Sequence, residues 1–134
     1  MRRVRLPVGV LVALVALAAP AMAKEGVRAT LDRPVRLDAA AGTTIRVAWR
    51  LHHAHGRPFG ASGIYLRVSR CGRAPLRIRA SQARDGGYVA RVRMPRGGIR
   101  KLLVGLEGWR GAGERRQRAD LFFQFDPPLH RDCP

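Results

Sequence analysis

The segment at residues 43–55, TTIRVAWRLHHAH, restricts the folds open to this chain more than any other segment. Apolar side chains occupy every second position, and Arg46 and Arg50 stand between them. The alternating apolar residues are Ile45, Val47, Trp49 and Leu51. A period of two is typical of a β-strand with one buried face and one solvated face. The segment therefore predicts a strand with Trp49 at the centre of its buried face.

Further segments alternate in the same way, and turn-forming residues separate them. They lie at residues 27–31, 64–70, 76–80, 88–94, 102–106 and 119–125. Residues 108–118, rich in Gly and Arg, are predicted to form a loop. Roughly seven short strands at this spacing are typical of an antiparallel β-sandwich, so we expect an all-β fold of that kind. The predicted core surrounds Trp49 with Leu51, Ile64, Leu66, Tyr88, Val92, Leu102, Val104 and Phe123.

The first 23 residues have the composition of a secretory signal peptide, which we expect to form a helix. Arginines at positions 2, 3 and 5 precede an apolar run at residues 8–19, and an Ala-x-Ala sequence ends at Ala23. A membrane-spanning helix needs about 20 apolar residues, so an uncleaved anchor is the weaker interpretation. Cleavage near Ala23 would leave residues 24–134 as one domain, without a transmembrane segment. We expect that domain to be secreted, or to lie in the periplasm or cell envelope.

The chain has two cysteines, Cys71 and Cys133. Export would place them in an oxidising compartment, where an even number of cysteines favours a disulfide. A metal site is the less favoured alternative, because the pair lacks the short C-x-x-C spacing of such sites. The predicted bridge would tie the C-terminal tail to the domain. Loop-closure entropy makes its stabilising effect about 4 kcal/mol.

The formal net charge of the chain is +17, and nearly all of the positive charge is arginine. A charge of this size attracts polyanions. One interpretation is that a compositional bias has placed arginine on every solvated strand face, and the even spread of arginines favours it. The other is a surface for an anionic envelope component or an acidic exported protein. Nucleic acid is not an expected partner, because the chain lacks interleaved basic and aromatic residues.

Three of the four histidines lie close together, at His52, His53 and His55. In a continuing strand His53 and His55 would point to one face about 7 Å apart, near enough to share a metal ion. His52 would point the other way unless the chain turns, and His130 lies in the tail. Imidazole ligands suit copper or zinc. The alternative is that these are solvated residues at a strand end, with no cofactor bound.

An enzyme is not expected. No serine lies in a Gly-x-Ser-x-Gly elbow. Four of the nine Asp and Glu residues occur at predicted turns, where a side chain that stabilises the turn is a better interpretation than acid–base catalysis. These turn residues are Asp32, Asp38, Asp85 and Asp126.

Trp109 is the one aromatic residue predicted to lie exposed in a loop. With Arg110, Arg115 and Arg116 it is a candidate recognition site, because Trp and Arg are enriched among binding hot spots. Alternatively, its indole folds back and caps one end of the sandwich.

Several short motifs resemble YtkA-like domains, which are small bacterial extracytoplasmic modules. The run Gly-Tyr-Val-Ala at residues 87–90, Met-Pro-Arg-Gly-Gly at 94–98 and the apolar strand at 102–106 are similar to the second half of such domains. Ala-Trp-Arg-Leu at 48–51 and Gly-Arg-Pro-Phe at 56–59 are similar to the first half. The resemblance implies an immunoglobulin-like sandwich. Some relatives are linked to copper handling, but no metal ligand of the family can be transferred to this chain.

The sequence therefore predicts a secreted or envelope-associated, non-catalytic binding or structural module with a basic surface suited to anionic partners. The alternative is an extracytoplasmic copper- or zinc-binding protein that uses His52, His53 and His55.

Overall fold

The computed structural model describes residues 26–83 and 86–134. The predicted signal peptide at residues 1–23, and Asp85, lie outside the described residues. The described residues form ten β-strands: β1 Val27–Leu31, β2 Thr44–His53, β3 Ile64–Arg70, β4 Arg73–Arg79, β5 Ser81–Gln82, β6 Tyr88–Arg93, β7 Ile99–Leu106, β8 Trp109–Arg110, β9 Gln117–Arg118 and β10 Leu121–Gln124. Within the described ranges, no helix is long and apolar enough to cross a membrane.

Two four-stranded antiparallel sheets form the body of the protein. Sheet 1 has the strand order β1-β2-β6-β5, and sheet 2 has the order β10-β7-β3-β4. The predicted all-β, antiparallel, sandwich-like architecture is confirmed. Strands β4 and β5 are separated only by Ala80, so one extended segment passes from sheet 2 to sheet 1. On the opposite side, Asp126 N–H donates to the Ala29 carbonyl at 2.8 Å and links the end of β10 to β1.

The core lies between the sheets, and Trp49 is its largest side chain. All nine core residues predicted from the alternation are buried, none of them more than 3 % exposed. The Trp49 indole stacks on Tyr88 at 5.9 Å between ring centroids and meets Phe125 edge-on at 6.2 Å. Its Nε1–H is buried and has no hydrogen-bond partner within the described part of the chain. The indole is therefore held by packing alone.

The prediction of a loop at residues 108–118 was wrong. Strands β8 and β9 pair as a small hairpin, with Trp109 opposite Arg118, and a 3₁₀ turn at Gly113–Arg115 joins them. Positive φ angles at Gly111 and Gly113 allow the chain to reverse there. Strands of two residues are too short to show an alternating pattern, which is why the sequence did not predict this hairpin.

The C-terminal tail is fixed by a disulfide and by backbone hydrogen bonds. The predicted Cys71–Cys133 bridge is present, with the two Cα atoms 5.7 Å apart. Arg131 N–H donates to the Arg100 carbonyl at 2.8 Å, and Leu102 N–H donates to the Leu129 carbonyl at 3.1 Å. The tail therefore continues the edge of sheet 2 beside β7.

Candidate functional site

The outer face of sheet 1 carries three exposed arginines that we call the arginine patch: Arg46 on β2, and Arg91 and Arg93 on β6. The register of the two strands places Arg46 directly opposite Arg91, and Arg93 opposite Thr44. Opposed side chains on one sheet face have Cβ atoms about 5 Å apart, and like charges there repel. No described carboxylate forms an ion pair with any of the three.

The remaining arginines of this face differ from the patch, because acidic residues lie beside them. Arg28 contacts Asp126 at 3.1 Å, and Arg50 contacts Asp32 at 3.5 Å. These pairs lie where β1 flanks β2. Strand β1 ends opposite Trp49, so the patch lies beyond its reach. The positive charge is therefore least compensated between the first half of β2 and the second half of β6.

The outer face of sheet 2 carries a compact ionic and aromatic group that we call the Tyr65 cluster: Tyr65, Arg77, Glu107, Arg118 and Asp120. The Tyr65 hydroxyl donates to Asp120 Oδ2, and the Arg77 guanidinium donates to Glu107 Oε1. Arg118 contacts Asp120 through two hydrogen bonds of 2.9 and 3.1 Å. The Arg77 guanidinium lies over the Tyr65 ring, 4.1 Å from its centroid.

Gly105 makes this cluster possible. It lies opposite Tyr65 in the β3–β7 register, and the phenol ring lies across it. A Cβ atom at residue 105 would overlap the Tyr65 ring. Because glycine has no side chain, the ring can lie over the neighbouring strand and place its hydroxyl beside Asp120.

The cluster shifts the pKa values of Asp120 and Tyr65 away from neutrality. Burial opposes ionisation of Asp120, but hydrogen bonds from Tyr65, Arg118 and the Gly108 N–H outweigh it and lower the pKa. Burial and the neighbouring Asp120 carboxylate raise the pKa of the Tyr65 hydroxyl. General acid–base catalysis favours a pKa near the working pH. The geometry of this cluster therefore favours a role in holding β3, β4, β7 and the β8–β9 hairpin together.

The β8–β9 hairpin presents Trp109, the candidate recognition residue. Its indole is 53 % exposed, and the Arg116 guanidinium lies 4.6 Å from the ring centroid. Arg110 and Arg115 are exposed on the same hairpin. The structure thus brings the four predicted recognition residues onto one projecting element.

The histidines at the end of β2 divide into a pair and a single residue. The His53 and His55 rings stack with centroids 5.1 Å apart, and Phe59 meets His53 edge-on at 5.4 Å. His52 is the next residue after Leu51 of the buried face, so it faces outward, opposite Arg28 of β1. Its Nδ1 lies 3.2 Å from the His53 carbonyl oxygen.

This arrangement does not assemble a site from all three histidines. No group of three or more His, Cys, Asp or Glu side chains is placed to hold one metal ion in the described ranges 26–83 and 86–134. His130 lies opposite Lys101, beside β7. His53 and His55 remain as a pair of imidazoles, and the Arg57 N–H makes a long hydrogen bond of 3.4 Å to His55 Nδ1.

Comparison with known proteins adds no relative: no family model, curated protein or solved structure matches this chain. The resemblance to YtkA-like domains accordingly stays a prediction.

Sequence reasoning missed the Tyr65 cluster and the arginine patch. Tyr65 and Asp120 are 55 positions apart, and Arg46 and Arg91 meet only through the register of β2 and β6. The one usable signal was Gly105 within an apolar strand, because an isolated strand glycine indicates close approach by a neighbouring group.

Proposed function

We propose that this protein is a secreted or envelope-associated, non-catalytic binding module that binds an anionic partner through the arginine patch. The observation that carries the proposal is the direct opposition of Arg46 and Arg91, with Arg93 beside them and no described carboxylate to pair with. Such an arrangement costs folding free energy in the free protein. A phosphate, sulfate or carboxylate group bound between the guanidinium groups would offset that cost, because arginine forms bidentate hydrogen bonds with such groups.

The position of the patch also supports a binding role. It lies on the exposed face of a sheet whose other face forms the core, so a ligand can reach it without any rearrangement of the fold. The net charge of +17 adds a long-range attraction toward polyanions. An anionic envelope polymer, an anionic lipid surface and an acidic exported protein all present the charge that the patch requires.

We further propose that the sandwich is immunoglobulin-like. The sheet orders β1-β2-β6-β5 and β10-β7-β3-β4 can be written as A-B-E-D and G-F-C-C′, which is the strand arrangement of immunoglobulin domains. Two features depart from antibody domains. The buried Trp49 lies on the second strand, and the disulfide joins the β3–β4 turn to the tail instead of crossing the core.

Binding of fluorescently labelled polyphosphate, measured by anisotropy on the full chain, tests the patch. We expect salt-sensitive binding that weakens about tenfold in the variant Arg46→Gln/Arg91→Gln/Arg93→Gln. The matched control is Arg33→Gln/Arg57→Gln/Arg96→Gln, which removes the same charge from three exposed arginines outside the patch. The affinity of this control for polyphosphate should fall by less than about threefold. Equal losses in both variants would mean that net charge alone drives binding, and the patch would be rejected.

A second candidate function is copper or zinc binding, which the proximity of the His53 and His55 rings, 5.1 Å apart between centroids, favours. Metal competition on the full chain separates it from the first. Sub-micromolar affinity that is lost in His52→Ala/His53→Ala/His55→Ala would support a metal-binding protein. Millimolar affinity unchanged by that substitution would reject it.

A further inference from the structure

The indole of Trp109 borders a cleft that none of the preceding roles uses. The cleft has a volume of about 500 Å³ and lies between the β8–β9 hairpin and the strand ends beneath it. We call it the Trp109 cleft and define it by the polar side chains that line it together with the indole. These side chains are Ser62, Arg79, Gln82 and Glu107. Tyr88, which is buried, forms part of its floor.

Hydrogen bonds and ring packing hold the floor of the cleft in place. The Tyr88 hydroxyl donates to the Ala61 carbonyl at 3.2 Å and accepts from the Ala61 N–H at 3.0 Å. The Tyr88 ring also stacks on Trp49 in the core. A ligand in the cleft would therefore meet a preformed surface, which lowers the entropic cost of binding.

The polar walls offer both donors and acceptors. Among the described residues, the Arg79 guanidinium and the Gln82 amide make no hydrogen bond or ion pair. Both arginine contacts to Glu107 reach Oε1, which leaves Oε2 to accept from a ligand. Because Glu107 is already paired with Arg77 and Arg118, Arg79 is the one charged lining side chain of the cleft that has no partner among the described residues.

The indole provides the apolar wall. Trp109 also borders a second cleft of about 420 Å³, which Arg110, Asp120 and Phe122 help to line. The ring therefore stands between two clefts and keeps more than half of its surface accessible, although Arg116 lies over it. An indole face carries partial negative charge and attracts the partially positive C–H groups of a ligand.

From these features we propose that the Trp109 cleft binds a saccharide. A pyranose ring has an apolar C–H face that stacks on an indole, and its hydroxyl groups both donate and accept hydrogen bonds. Arg79 and Gln82 would donate to the ring oxygen and hydroxyl groups, and Glu107 Oε2 would accept from a hydroxyl. An apolar stacking face beside both donors and acceptors distinguishes this site from the arginine patch, which offers guanidinium donors alone.

A peptide partner fits the surface less well. Protein interfaces have an apolar centre of several residues. Within the described ranges, only Leu76 and Trp109 are exposed large hydrophobic residues, and they lie on the separate elements β4 and β8. A single indole framed by polar side chains matches one sugar ring better than a segment of polypeptide.

Tryptophan fluorescence of the full chain provides the test, because Trp49 is buried and Trp109 is the only other tryptophan. The probes are the neutral trisaccharides maltotriose, cellotriose and N,N′,N″-triacetylchitotriose, with hexaglutamate as the acidic peptide. We expect a saturable change in emission with at least one trisaccharide and a Kd of about 1 mM or tighter. No saturable change with any trisaccharide up to about 10 mM would overturn the proposal, and so would saturation by hexaglutamate alone.

Calorimetry on variants then locates the site. Trp109→Ala should abolish saccharide binding, and Arg79→Ala or Gln82→Ala should weaken it by about threefold to tenfold. The matched control Leu76→Ala removes the other exposed large hydrophobic residue and should leave the affinity unchanged. The triple substitution in the arginine patch should also leave it unchanged, so that failure of the two proposals can be told apart. Undiminished binding in Trp109→Ala would overturn the assignment.

Discussion

On the outer face of sheet 2, Arg77 and Arg118 are held by Glu107 and Asp120, whereas on sheet 1 Arg46 and Arg91 face each other without a described carboxylate. Both are outer faces of antiparallel sheets, and both are rich in arginine. The difference shows that the net charge of +17 does not indicate which arginines are paired with carboxylates and which are not. Some of its arginines stabilise the fold, and others remain available to a partner.

The carboxylates that distinguish the two faces come from the ends of the β8–β9 hairpin. Glu107 precedes β8, and Asp120 follows β9, so the hairpin delivers both to the edge of β3 and β4. Sheet 1 has no corresponding insertion over the patch among the described residues. The arginines of the patch are available because of the topology, since no described segment places an acidic side chain beside them.

The largest expected effect on stability comes from the core between the two sheets. It gives the scale against which the smaller effects of substitutions on either outer face are compared. Truncation of a buried Trp typically costs about 3–5 kcal/mol, so Trp49→Ala should remove most or all of the free energy of unfolding. The matched control Trp109→Ala affects an exposed indole and should change stability by less than about 0.5 kcal/mol. Urea unfolding followed by circular dichroism measures both. A stable, cooperatively folding Trp49→Ala protein would contradict the core assignment.

The next effect concerns the Tyr65 cluster. Asp120→Asn keeps the shape of the side chain but removes the charge that Tyr65 and Arg118 bind, at a side chain only 12 % exposed. We expect a loss of about 2 kcal/mol, because hydrogen bonds to charged groups are stronger than neutral ones. Asp132→Asn is the control, since Asp132 is exposed and forms no ion pair with a described residue. Equal urea midpoints for the two variants would mean that the cluster adds no stability.

The pH dependence of stability should also distinguish the faces. The pKa of Asp120 is lowered in the folded state, so its stabilising effect is present above the unfolded value near 4 and lost as the pH falls through the folded value. The pKa of Tyr65 is raised, so its effect is present below about 10 and lost as the pH rises further.

Unfolding free energies measured from pH 2.5 to 7 should therefore fall less steeply with acid in Asp120→Asn than in the wild type. Above about pH 10, Tyr65→Phe should likewise flatten the loss of stability. Arginine stays protonated throughout, so the triple variant of the arginine patch should keep the wild-type profile in both ranges. A changed profile in that variant would show that the patch is coupled to a titrating group.

The sequence was sufficient to predict the buried core and the all-β class of the fold. It was not sufficient to predict the side-chain contacts on the outer faces of the two sheets. The alternation around Trp49 predicts which side chains point inward, because side chains alternate between the two faces of a strand whichever strands it pairs with. Whether Arg46 meets Arg91 or a carboxylate depends on register, and a slip of one residue would move every outward side chain to the other face. Gly105 could have suggested that a ring lies across β7, but nothing local identified Tyr65 as that ring.

The smallest expected effect is the sharpest test of the comparison, because the two faces should respond with opposite sign. Arg77→Gln removes an ion pair with Glu107 and the contact with the Tyr65 ring, both partly exposed. It also relieves repulsion from Arg67, which lies opposite Arg77 on β3, so we expect a net loss of about 1 kcal/mol. Arg91→Gln removes repulsion from Arg46 and should stabilise the protein by a few tenths of a kcal/mol at low salt. Screening should abolish this gain in about 1 M salt. Arg57 has no arginine opposite it on a neighbouring strand, so Arg57→Gln measures the general effect of removing one positive charge. That effect is subtracted from the other two. Unfolding free energies at the two salt concentrations measure all three, and a loss of stability in Arg91→Gln at low salt would show that Arg91 is a structural residue like Arg77.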